Sequence, residues 1–372
     1  MPIQSDEDAL APYDAVLLLS FGGPEAPEEV MPFLRRVTAG RDIPEERLEE
    51  VATHYHHFGG RSPINDQNRA LLAALETEIA GRGSAVPVLW GNRNSDPFVT
   101  DTLRAARAEG LLRLCVVVTS AYSSYSGCRQ YREDLAAATD ELGIAAADLV
   151  IDKIRPYALH PGFVAVNTEH LVETVEAIPD LDPATTRLLF VTHSVPNAMD
   201  DTSGPGDGDG NLYVEQHLRT GRLVAQGLAE RTGTSLEHEL VFCSRSGSPR
   251  TPWLEPDVND RIEELAAEGV RTVVVAPIGF VSDHMEVVND LDREAKETAD
   301  RVDVRFARVP TAGTHPLFVE ALVDLVHERA AEARDELVVP AQADGGDVRP
   351  SICAGGCCPN LRAAKPALCG RD

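Results

Sequence analysis

The sequence predicts an α/β protein of two similar units, each built on a mainly parallel sheet flanked by helices. Three observations carry that prediction. Short apolar runs of strand length alternate with stretches of helical period, the order in which parallel sheets are wound. Those strand runs lack polar alternation, as expected of strands covered on both faces. Finally, the pattern occurs twice: VLWGNRNSDPFVTDTLRAARAEGLLRLCVVVTSAYS can be laid over LVFCSRSGSPRTPWLEPDVNDRIEELAAEGVRTVVVAPIGF.

The elements follow in order. Strands are expected in AVLLLSF from Ala15, VPVLWG from Val86, LCVVVTS from Leu114, RLLFVTHS from Arg187, ELVFCS from Glu239 and RTVVVAPI from Arg271. Helices are expected in DQNRALLAALETEIA from Asp66, VTDTLRAARAEG from Val99, VNDRIEELAAEG from Val258 and HPLFVEALVDLVHERAAEAR from His315. In each repeat a strand runs into a small-residue loop with an arginine (Arg93, Arg245). A helix then ends at Ala-Glu-Gly (Glu109, Glu268) before a strand of three valines. VLLLSFGGP likewise parallels LLFVTHSVP. The chain therefore divides into residues 12–165, residues 166–337 with the last long helix, and a tail at 338–372. That tail opens Gly/Pro/Ala-rich from Val338 and reads as a tether. Ligands of open sheets sit beyond the carboxyl ends of strands, so the cleft between the two units is the expected site.

Composition narrows the function. The chain has 372 residues, 43% hydrophobic and 25% charged, enough for a core without disulfide staples. Its net charge of −26 repels nucleic-acid backbones and anionic lipid, which argues against a nucleic-acid partner. No run is long enough to span a bilayer, so no integral membrane contact is expected. The start, MPIQSDEDALAPYD, lacks a signal peptide. A cytoplasmic location follows, where thiols stay reduced. Against the global field, Arg35, Arg36, Arg41, Arg61, Arg69 and Arg93 cluster in the first hundred residues; an anionic ligand would bind there.

Several polar groups stand at strand ends. VTHSVP places His193 and Ser194 directly after a strand, although a capping serine and a surface histidine account for it equally well. PIGFVSDHMEVVND brings Asp283, His284 and Glu286 together, with Asp290 and Asp292 on the helix beyond. A helix dipole explains acids at such a helix start but not His284. Histidine with carboxylate suits a borderline divalent cation, or proton removal near neutral pH. HYHHFGGRSPIND offers His54, His57, Arg61 and Ser62 to carboxylates of a ligand. TSAYSSYSGCRQY surrounds a loop with Tyr122, Tyr125 and Tyr131, suited to a flat, partly apolar ligand. DGDGN from Asp207 fails as a calcium loop, because Leu212 and Leu218 stand where glycine and glutamate belong.

Of seven cysteines, four (Cys353, Cys357, Cys358 and Cys369) fall in the tail. Four thiolates can hold a tetrahedral zinc or a [2Fe–2S] cluster. Cys353-x₃-Cys357 makes one zinc knuckle, but Cys358 and Cys369 do not make a second.

In order along the chain, LLLSFGGPEAPEEVMPFLRRV, HYHHFGGRSPIN, VTHSVP, SRSGSPRTPWLEPDV and PIGFVSDHMEVVNDLDREA resemble the ferrochelatase family, over roughly Tyr13 to Arg334. The resemblance implies two Rossmann-like (chelatase) domains, each with a four-stranded sheet, and insertion of Fe²⁺ into a porphyrin in heme biosynthesis. By the same match His193 is metal ligand and acceptor of pyrrole protons. Glu286 faces it, with His284 and Asp290 behind. Ser62 and Tyr131 contact the porphyrin, with Arg61 and His54 nearby, while Phe21 and Trp253 line the cleft. Some relatives carry an axial tyrosine where this chain has Phe21.

The polar lip PEAPEEVMPFLRRVTAGRDIPEE and the local Arg/His cluster point to coproporphyrin III, with its four propionates, over protoporphyrin IX. A sirohydrochlorin-type chelatase and a tetrapyrrole or iron carrier are the competing readings. The tail resembles the extension on which some ferrochelatases hold a [2Fe–2S] cluster, which implies Cys353, Cys357, Cys358 and Cys369 as ligands, with Cys128 as the alternative fourth. The resemblance further implies a monomer, with porphyrin and ferrous iron as partners and transient contact with neighbouring heme-pathway enzymes.

Overall fold

The computed structural model describes residues 8–40, 43–145, 148–205, 210–246 and 250–368. Arg41, Asp207 to Asp209 of the acidic loop and Cys369 lie outside them. The first half runs β1 (Ala15–Ser20), α1 (Val30–Val37), α2 (Glu45–His57), α3 (Ile64–Gly81), β2 (Val88–Asn92), α4 (Val99–Ala108), β3 (Arg113–Val118), α5 (Gln130–Glu141) and β4 (Val150–Lys153). The second runs α6 (Pro161–Glu176), β5 (Thr186–His193), α7 (Asn197–Asp201), α8 (Leu212–Thr232), β6 (Glu237–Cys243), α9 (Val258–Ala267), β7 (Thr272–Ala276), α10 (Met285–Val287), α11 (Lys296–Arg301), β8 (Arg305–Arg308) and α12 (Pro316–Ala333).

Each half makes one four-stranded sheet, ordered β2-β1-β3-β4 and β6-β5-β7-β8, and every pairing is parallel. Helices cover both faces, so the central strands are apolar throughout: all six residues of β1 and all five of β7 are buried. Of the four outer strands, β2 and β6 keep apolar runs, whereas β4 and β8 are short and mixed, VIDK and RFAR. An edge strand has one neighbour and can carry charge that blocks further pairing; in β4 and β8 that charge, on only four residues, removes the apolar run by which the other strands are read. Local signals set the helix starts. Asp257 accepts the Asn259 amide at 2.8 Å ahead of α9, and His315 accepts the Leu317 amide at 3.3 Å ahead of α12, with Pro316 at its first position.

The last helix, which the sequence groups with the second unit, lays its apolar face on the first sheet, against α3, α6 and β3. Phe318 there meets Phe163 and Tyr157, with ring centroids 5.9 and 6.1 Å apart. Burying large aromatic surface of this kind outweighs sequence proximity. The tail is pinned as well. The Ala343 amide bonds the Leu159 carbonyl at 2.9 Å, Arg155 donates to the Ala341 carbonyl at 2.8 Å and Arg219 to Asp344 at 2.7 Å. Among the described residues no helix is long and apolar enough to cross a membrane.

In both sheets the chain order reverses between the central strands, β1 and β3 in one, β5 and β7 in the other. The loops leaving those strands diverge there and open a crevice.

Candidate active site

In the second half the crevice lies between the loop after β5, which starts with His193 and Ser194, and the loop after β7, which reaches Glu286. Gly279 lets the second loop cross the end of β5: its amide bonds the Val191 carbonyl at 3.1 Å, and a Cβ there would stand 2.1 Å from Thr192 Oγ1. A side chain at that position would force the loop off the end of β5.

The two meet as opposed acceptors. His193 Nε2 is 3.6 Å from Glu286 Oε2, with side chains 30% and 44% exposed, so both open into the cleft. His193 Nδ1 bonds the Ser194 carbonyl. A carbonyl only accepts, so Nδ1 carries a proton and Nε2 is the nitrogen turned towards Glu286, presenting a lone pair there in the neutral ring. Ser194 is itself held through its hydroxyl by the Leu254 carbonyl at 2.8 Å, and the His193 carbonyl accepts the buried Tyr213 hydroxyl at 2.9 Å. A lone pair and a carboxylate aimed at one space attract a proton or a cation and cannot satisfy each other.

Behind them the predicted groups continue. His284 Nδ1 lies 3.9 Å from Glu286 Oε2, and burial lowers its pKa, leaving a neutral imidazole. Asp290 sits on a π-helical segment, Val288–Ala295, a wide turn common at functional sites. Burial pushes its carboxyl up to about 6, against the hydrogen bonds from Ser244 and Asn289 that pull it down. Ser244 reaches it from a left-handed backbone, φ +61°. Neither Ser244 nor Asn289 is singled out by sequence, since a left-handed serine and a π turn leave no periodic trace. Asn289 also binds Glu294 at 3.1 Å and lies 3.4 Å from His54 Nδ1, which carries His54 of the first half to the acidic segment of the second.

The first half contributes an arginine set among aromatic rings, with Tyr131 buried in the core and Phe21 partly exposed. Arg93 is wedged between two rings, with its guanidinium 5.5 Å from the Phe21 centroid and 4.6 Å from that of Tyr131, and Asp134 holds its far side. Ser62 is buried, its amide bonding the Pro24 carbonyl at 2.9 Å. Trp253 lies alongside Pro196 in an antiparallel bridge, next to the His193 loop. Arg61, by contrast, is exposed and paired with Asp66 at 2.6 Å. The expected basic cluster is largely neutralised internally. Arg35 pairs with Glu45 and Arg69 with Glu25 and Asp66, while Arg36 bonds the Asn94 carbonyl.

A second constellation lies apart from the cleft. Cys128, Cys353, Cys357 and Cys358 form one buried cluster, all as free thiols. Cys128 comes from the π-helical turn Tyr125–Arg129 at the head of α5, so the structure joins the internal cysteine to three of the tail. The sulfurs of Cys357 and Cys358 are 3.9 Å apart. The Gly204 amide donates to Cys358 Sγ at 3.2 Å, and Arg349 Nη2 is 4.0 Å from Cys357 Sγ. Asn360 ties the tail to Tyr125 and Glu133 at 2.9 and 3.0 Å.

Comparisons with known proteins agree with this architecture. The ferrochelatase family description matches residues 13–330. The chain is 51% identical over 365 residues to a coproporphyrin III ferrochelatase of Streptomyces coelicolor, covering 97% of each chain. It is 50% identical to that of Leifsonia xyli subsp. xyli, over 96% of this chain and 94% of the relative. A ferrochelatase of Rhodopirellula baltica is 43% identical over 97% of this chain and 98% of its own. Among solved structures, SirB from Bacillus subtilis with Fe³⁺ shares the fold at a TM-score of 0.50 and 14% identity, covering 86% of this chain and 97% of its own. With motifs, sheet order and full-length relatives in agreement, the chain belongs to the ferrochelatase family.

Proposed function

We propose that this protein inserts Fe²⁺ into coproporphyrin III, releasing two protons and forming the iron porphyrin of a heme pathway. The opposed pair, His193 Nε2 facing Glu286 across 3.6 Å, is the observation that carries the reading. Metal insertion requires two pyrrole N–H protons to leave and Fe²⁺ to shed water. The Nε2 lone pair accepts a proton from the ring nitrogen. The Glu286 carboxylate replaces water on the metal and accepts or relays the second proton. His284, kept neutral by burial, and the Asp290 carboxyl stand behind as further acceptors. The rings of Phe21 and Tyr131, backed by Arg93, suit a flat macrocycle. Trp253, Ser62 and His54 complete the contacts we assign to the porphyrin. Arg61 would have to exchange Asp66 for a propionate.

Coproporphyrin III is favoured because relatives near 50% identity carry that name and because the lip is polar. Arg36, whose bond goes to a carbonyl rather than a carboxylate, is available to a propionate. We place the functional units at 12–165, 166–337 and 338–372, acting as a monomer in the cytoplasm. Anaerobic Fe²⁺ insertion, followed by loss of the free-base absorption bands with coproporphyrin III and protoporphyrin IX side by side, tests the assignment. Rapid metallation of coproporphyrin III alone is expected; preference for protoporphyrin IX overturns the substrate, and no metallation of either overturns the reaction.

The thiol cluster suits a [2Fe–2S] centre held by Cys128, Cys353, Cys357 and Cys358. The donor set is all sulfur, buried, and supplied with N–H donors by Gly204 and Arg349. Such a centre would supply one-electron redox chemistry and a tie between the tail and the first half. Chelation transfers no electrons, so its part is structural or sensory.

A further inference from the structure

Lys153, the last residue of β4, is 2% exposed. Its ammonium donates to the neighbouring Ile154 carbonyl at 2.7 Å. Among the described residues no carboxylate pairs with it. The adjacent Asp152 is engaged elsewhere, by Arg329 at 2.7 Å and the Tyr13 hydroxyl at 2.8 Å, and neighbouring residues of a strand point to opposite faces. A buried ammonium is tolerated when an anion faces it.

The sheet register shows which face Lys153 occupies. Lys153 pairs with Val116 as Ile151 pairs with Leu114, and Leu114, Val116 and Ile151 share a core with Tyr131 and Leu135 of α5. Lys153 therefore occupies the sheet face covered by α5, the helix whose head carries Cys128. Lys153 closes β4 at the carboxyl end of the sheet, the end from which β3 runs out towards the turn that carries Cys128, and Lys153 and the buried Arg132 both lie close enough to act electrostatically on Cys128 and Cys353. The geometry and charge converge on the sulfur cluster.

We propose that Lys153 is the counter-cation of the cysteine cluster, buried to face the anion that four thiolates and their iron–sulfur centre make together. The proposal rests on reading that cluster as a [2Fe–2S] site. An all-thiolate centre is anionic when oxidised and more so when reduced, so a fixed positive charge beside it stabilises both states, the reduced one more. In cluster-free protein the same ammonium lacks its partner and weakens the fold.

The test compares wild type, Lys153→Met and Lys153→Arg in the full chain, each reconstituted anaerobically with ferrous iron and sulfide and each also prepared cluster-free. In loaded protein the methionine variant is expected to lose its visible cluster absorption to a chelator several-fold faster. Its reduction potential should shift to more negative values and its melting temperature fall, with arginine restoring all three. In cluster-free protein the methionine variant should melt at or above wild type, a reversal of sign that a packing role cannot produce. Unchanged decay and potential, or an equal loss of melting temperature in both forms, overturns the proposal. Should Lys153→Met not fold alone, it is made in a Cys128→Ser background, where it must fold and melt at or above its parent; failure there overturns the proposal too. A wild-type protein that takes up no iron–sulfur centre at all is a separate result, and removes the [2Fe–2S] reading together with its counter-cation.

Discussion

The two halves place a π-helical segment after corresponding strands, β3 in the first and β7 in the second, and put opposite chemistry on it. Tyr125–Arg129 carries a cysteine into a sulfur cluster; Val288–Ala295 carries Asp290 behind the His193–Glu286 pair. The ends of β1 and β5 differ in the same way. Where the second half has His193, the first has Phe21, its ring packed on Arg93. A shared sheet order thus fixes where loops converge and leaves the residues on them free to diverge. In the proposed reaction the first half braces the flat ligand and the second handles protons and metal.

The sharpest way to break that contrast is at the paired strand ends. His193→Ala is expected to lower kcat for iron insertion about 10²–10⁴-fold with little change in melting temperature, whereas Phe21→Ala should act chiefly on KM. If both variants fail in the same parameter, the division of labour is wrong. Next comes the sulfur-bearing segment. Cys128→Ser should abolish the visible absorption of a bound [2Fe–2S] centre, and Cys369→Ser should leave it intact; the reverse pattern would return the fourth ligand to the end of the tail.

The acidic segment provides a smaller effect with a definite pH signature. Burial raises the Asp290 pKa from 3.8 to about 6, so the folded state binds its proton more tightly than the unfolded chain. The group's favourable contribution is complete below pH 3.8 and declines as pH rises through about 6. Asp290→Asn should therefore be the more stable protein above that range, by about 2 kcal/mol, less than the full shift because the carboxyl keeps some solvent. The gain should shrink towards zero as pH falls from 6 to 4, and denaturant melts showing a gain constant over that window would refute the assignment. The smallest effect belongs to the arginine set among the aromatic rings. Arg93→Met removes a cation worth about 1 kcal/mol to the rings it touches, and should weaken porphyrin binding several-fold in a fluorescence titration without altering the pH profile of kcat.

Much of this molecule is legible in its sequence. Six of its eight strands among the described residues announce themselves as unbroken apolar runs, because a strand covered on both faces must be apolar throughout. His193 and Glu286 stand out because strand ends in such folds feed the ligand crevice. VIDK and RFAR, two of the four edge strands, escape notice because each has four residues and carries charge, which erases the run. The π turns escape as well, since their wider winding imitates a helix until hydrogen bonds are traced.

Sequence by itself determined the α/β class, the repeat, the order of the motifs and the residues that meet in the cleft, because periodicity and strand-end chemistry are local properties of a chain. Tertiary structure alone decided that the last helix covers the first sheet, that Cys128 joins the tail's cysteines, that Arg61 is spent on Asp66, and that Lys153 lies buried with no carboxylate paired to it among the described residues. Those outcomes depend on which distant surfaces exclude water together and which charges are left facing one another. No local pattern records that.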